Sequence, residues 1–91
     1  MASIRQLKKD INFLASELVS LAYYNKMIHG KITDEELDTY IANALEYRSN
    51  LIARANTPDG KDNPKLVKKF YQELRKDMLG KFEKLFTEVS K

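Results

Sequence analysis

The feature that most constrains this chain is an apolar stripe at alternating three- and four-residue spacing: Ile4, Leu7, Ile11, Leu14, Leu18, Leu21 and Ile28, broken at Asn25. Side chains at that spacing return to one face of an α-helix, so residues from about 3 to 29 are expected to form one long amphipathic helix. A helix apolar along one side has to bury that side against partners. Two further segments supply them. Residues 34–55 carry Leu37, Ile41, Ala44, Leu45, Arg48, Leu51, Ile52 and Ala55 on an inner arc, and residues 64–89 carry Val67, Phe70, Leu74, Met78, Phe82, Leu85 and Val89. The third stripe contains a four-residue insertion relative to strict heptads, which shifts its inward face partway along, and Gly80 in the same stretch offers close packing or a bend.

Punctuation signals separate the three segments. Ser3 with Gln6 fits a capping box at the first helix start, and Thr33 with Glu36 fits a second one. Asp34, Glu35, Glu36 and Asp38 crowd negative charge into the first turns of helix two, where the backbone dipole is positive. Gly30 can take the left-handed conformation that closes helix one, with Lys26 and His29 placed at its negative end. The run Asn56-Thr57-Pro58-Asp59-Gly60-Lys61-Asp62-Asn63 holds turn formers, and Asn63 with Pro64 forms a cap and first position for helix three. Connections this short make consecutive helices antiparallel neighbours. The expected fold is therefore all-α: an antiparallel up-down-up three-helix bundle, forming one domain over residues 1–91.

Composition agrees with a small globular domain. Hydrophobic residues make up 43% and charged residues 32% of 91 residues, which is far from a disordered composition. Cysteine is absent, removing disulfides and thiolate chemistry. Lys8, Lys9, Asp10 and Glu17 interrupt the first segment, so it is not a membrane span, and no secretory signal pattern opens the chain; a cytoplasmic location is the default expectation. The net charge of +3 is unevenly spread, with the middle helix acidic and both neighbours basic. Exposed pairs across the seams would bias pairing and aid solubility, each contributing about 0–1 kcal/mol.

No residue pattern demands a reaction. His29 lacks a neighbouring nucleophile, and its place at a helix end already accounts for it. The chain has no Glu-x-x-His pair of the kind that holds two metals inside a bundle, and the acidic cluster at 34–38 surrounds a helix start without converging on a point. Asp59-Gly60-Lys61-Asp62-Asn63 lacks the ligand pattern of a calcium loop. Neither an enzyme, a metal nor a cofactor is needed to explain any residue.

Surface features point instead to binding. Tyr71, Leu79, Phe82 and Phe86 form a second apolar stripe beside the core stripe of helix three, which is either the flank of a wide core arc or an exposed patch, and exposed contiguous patches mean association. These four are the candidate protein interface, with a homodimer as one outcome. Lys61, Lys65, Lys68, Lys69 and Lys76 share another face of helix three and are the candidate anion or nucleic-acid site under the alternative reading, although interleaved aromatics and Arg forks are missing. Asn25 and Arg48 require polar partners if they sit inside, and Tyr40 and Tyr47 are expected at core edges.

The string Leu7-Lys8-Lys9-Asp10-Ile11-Asn12 before a long amphipathic helix resembles the start of short, uncharacterised all-helical bacterial proteins. The resemblance covers the first helix and the overall length, and it implies no activity and no functional residues. The expected function is a non-enzymatic interaction or self-associating module.

Overall fold

The computed structural model of the chain describes residues 4–30, 32–57 and 63–90. Helix α1 spans Ile4–Tyr24 and continues into a π-helical turn, Asn25–His29; α2 spans Asp34–Asn56 and α3 spans Pro64–Ser90. The three pack as a rod-like up-down-up bundle with extents of 50 × 19 × 18 Å, and the α1–α2 seam is the most extensive.

Local chemistry sets the described boundaries. Gly30, at φ 61°, ends the first rod by donating its N–H back to the carbonyls of Asn25 and Lys26. Thr33 and Glu36 form the reciprocal capping box, with the Thr33 hydroxyl accepting from the Glu36 N–H and the Glu36 carboxylate accepting from the Thr33 N–H. The Asn63 side-chain carbonyl accepts from the N–H groups of Lys65 and Leu66, capping α3 ahead of Pro64. The expected Ser3 cap, and the 58–62 part of the expected loop, lie outside the described residues.

The core is one main cluster with a smaller one at the end where α1 and α3 finish. Leu7, Ile11, Ala15 and Leu18 meet Ala44, Tyr47, Leu51 and Ala55 of α2 and Leu74 and Met78 of α3. Ala22, Ile32, Leu37 and Val89 form the satellite. Buried alanines lie on both sides of the α1–α2 seam and let those two helices approach closely, whereas α3 fills the remaining space with Phe70, Leu74, Met78, Phe82 and Leu85.

The structure corrects several expected core positions. Each helix must face two neighbours, so its buried arc is centred between them and not on its most apolar residues. On α1 the arc rotates toward Ala15 and Ala22, leaving Leu14 and Leu21 half-buried and Ile4 exposed. On α2 it rotates toward Tyr47, which is buried, and away from Leu45, which is exposed. Ile28 is 63% exposed because it lies in the π-turn, whose wider winding shifts residues off the α-helical face. Gly80 does not pack closely: a Cβ there would meet nothing within 4 Å, and α3 runs through it without interruption.

Polar exceptions find partners. Asn25 and Tyr40 both reach α3's last turn, Asn25 donating to the Val89 carbonyl and Tyr40 to the Glu88 carbonyl. Arg48 is exposed at the α1–α2 seam and donates through Nε to Asn12 Oδ1. No described helix is long and apolar enough to cross a membrane.

Candidate protein-contact face

The four aromatic and aliphatic residues of α3's second stripe divide into two pairs. Tyr71 and Phe82 are half-buried and pack against the main core. Tyr71 also donates its hydroxyl to the Ala55 carbonyl at 2.9 Å, meeting an oxygen in the last turn of α2 that has no intrahelical partner. That places Tyr71 among the tethers of the bundle, and it is withdrawn from the candidate face. Leu79 and Phe86, at 58% and 43% exposure, point outward. Phe82 joins the two sets, since its ring packs on the core on one side and lies 5.8 Å from the Phe86 ring on the other.

Asn25 and Val89 are level in the bundle, and α1 and α3 run in the same direction, so Leu79 stands level with Ala15 and Phe86 with Ala22. Both α1 residues are buried in the core, and the half-buried Leu14 and Leu21 flank them on α1. The exposed pair on α3 thus lies on a continuous α-helix, at the level of buried α1 residues.

A second exposed apolar set belongs to α1 and was not anticipated from the stripe. Phe13, at 63% exposure, and Tyr24 lie three turns apart and face solvent, with Met27 exposed just beyond. The signal that marks them in the sequence is a lack of charge. Between Asp10 and Lys26 the single ionised residue is Glu17, so outward positions that would ordinarily carry Lys or Glu carry Phe13, Ser16, Ser20 and Tyr24.

Lys65, Lys68, Lys69 and Lys76 are all exposed on α3, and Lys61 falls outside the described residues. The aromatics nearest to them in sequence, Phe70 and Tyr71, stack edge-to-face at 5.4 Å and turn onto the core, so the stripe has no exposed ring beside it for base stacking.

Electrostatics elsewhere serve the fold. Lys26 bridges to Asp34 at 2.6 Å and also donates to the Ile32 carbonyl, closing the link between the π-turn and α2. The Lys26 ammonium, first by its hydrogen bond and then by its charge, holds the Asp34 carboxyl below the usual carboxylate range. Arg54 pairs with Asp77 at 3.0 Å across the α2–α3 seam. A cleft of about 270 Å³ at the satellite-core end is lined by Asn25, His29, Glu36, Tyr40 and Glu88. Its polar groups include the Glu36 cap, the Asn25 and Tyr40 donors and the Glu88 carbonyl, all already engaged in holding helix ends. Among the described residues no group of three or more His, Cys, Asp or Glu is placed to hold a metal ion. Compared with family models, curated proteins and solved structures, the chain matches none.

Proposed function

We propose that this chain is a non-enzymatic protein-contact module whose working surface is the outward edge of α3 around Leu79 and Phe86. The supporting observation is that two large apolar side chains of α3, Leu79 at mid-helix and Phe86 about one turn from its end, stand in solvent outside the core cluster. Met78, immediately before Leu79, and Leu74, one turn before Met78, are buried, and Phe82 lies between the core and Phe86. Such exposure costs stability or solubility unless a partner covers it. A regular helix edge also suits recognition, because its side chains are ordered before binding and little entropy is lost on association.

The test is Leu79→Glu combined with Phe86→Glu. The double variant keeps its helical circular dichroism and cooperative melt and loses association with itself or with a partner. Unfolding would assign both side chains to the monomer core and end the proposal. The lysine stripe supports a second reading, engagement of a polyanion, whose mark is affinity that falls steeply with salt and a slope reduced by about one or two units when Lys65 and Lys68 are replaced.

A further inference from the structure

Leu79 sits between Arg75 and Glu83, each four residues away on the same stripe of an unbroken α-helix. Four residues advance about 6 Å along the axis, so Arg75 and Glu83 stand about 12 Å apart, too far to pair within one chain. Among the described residues neither side chain has an ion-pair partner, and Glu83 is exposed and Arg75 half-exposed. The stripe thus reads positive, apolar, negative, with Leu79 at its centre.

Resting on the contact-face reading above, we infer that the partner is a second copy of this chain, docked antiparallel through α3 about a two-fold axis at Leu79. Rotation about that axis places Leu79 on the copy's Leu79 and sets Arg75 against the copy's Glu83 twice over, the self-complementarity that a closed dimer requires. Phe86 then falls opposite the copy's Gln72, an uncharged side chain. A parallel copy would instead set Arg75 on Arg75 and Glu83 on Glu83.

Two independent features favour the same direction. The bundle is polarised along its 50 Å axis: one end carries Arg5, Lys9, Lys65, Lys68 and Lys69 where α1 and α3 begin, and the other carries the exposed acidic start of α2. Antiparallel copies bring unlike ends together and parallel copies bring like ends together. Gly80, beside Leu79, leaves open space where a Cβ would sit, so the helix surface there is low enough for a second helix to approach closely.

Sedimentation equilibrium on the full chain, with Arg75→Glu, Glu83→Arg and the double exchange, tests the pairing. The wild type is expected to dimerise, each single reversal to weaken the dimer by about tenfold or more, and the double exchange to recover to within about threefold of wild type. Because the two residues cannot reach each other in one chain, that rescue has to act across an interface. A wild-type chain that stays monomeric at millimolar concentration overturns the self-pairing, as does a dimer indifferent to the reversals or one that the double exchange does not restore. Leu79→Glu with Phe86→Glu separates this failure from that of the contact face: a folded double variant beside a monomeric wild type keeps the face and passes it to a different protein. Gly80→Ala supplies a further readout, because it should raise the melting temperature of the dilute monomer while weakening the dimer.

Discussion

The Asn25 side-chain amide donates to the backbone carbonyl of Val89 at 2.6 Å, tying the start of the π-turn to the last turn of α3. Val89 stands one residue from the end of α3, where a helix has run out of N–H donors for its carbonyls. Asn25 therefore interrupts the apolar stripe of α1 for a reason that belongs to another helix. Replacing it with Leu would restore the stripe and leave the carbonyl without this donor. Asn25→Leu is expected to destabilise by about 1–2 kcal/mol despite its added hydrophobicity, as read by urea denaturation. A stabilised variant would show that the bond contributes nothing.

Tyr47 makes the corresponding link at mid-bundle, its buried hydroxyl donating to the Met78 carbonyl at 2.8 Å. Burial pushes the Tyr47 hydroxyl from its ordinary 10 up to about 12. The folded chain thus keeps a proton that the unfolded chain releases, so this contribution is complete below pH 10 and lost as pH rises toward 12. Tyr47→Phe should cost about 0.5–1.5 kcal/mol at neutral pH and flatten the fall in stability over the alkaline range. Parallel alkaline melting profiles for the two proteins would count against this assignment.

At the acid end the sign reverses. Lys26 holds Asp34 below its ordinary value, so the stabilisation is present above the usual carboxylate range and fades as pH drops through the lowered one. Asp34→Asn should lower the neutral melting temperature and reduce its acid dependence by the same small amount, since the carboxylate is exposed.

The rotated core re-ranks the apolar substitutions. Leu74→Ala and Leu18→Ala remove fully covered side chains and should each destabilise by about 2–5 kcal/mol. Leu14→Ala, at a half-buried position of the same stripe, should cost less, and Phe13→Ala should stay within about 0.5 kcal/mol because its ring stands in solvent. Equal shifts at Phe13 and Leu18 in thermal melts would mean that the rotation is misplaced.

The helices and most of their ends were determined by the sequence alone, because they depend on residues that act locally. The three- and four-residue spacing fixes helical faces, Gly30 supplies a left-handed stop, and Thr33 with Glu36 and Asn63 with Pro64 close their caps within a few residues. Short connections then leave the up-down-up arrangement. Rotation about each helix axis was decided by the tertiary structure, since it depends on where two other helices stand. Only that rotation buries Tyr47 and exposes Leu45, turns Tyr71 into a tether while leaving Leu79 and Phe86 outside, and brings Asn25 to Val89 across 64 residues of chain. The contact face was legible in part for the same reason. A stripe at helical spacing gives the side of the helix on which apolar residues lie, but the width that neighbouring helices cover is a property of the packed bundle.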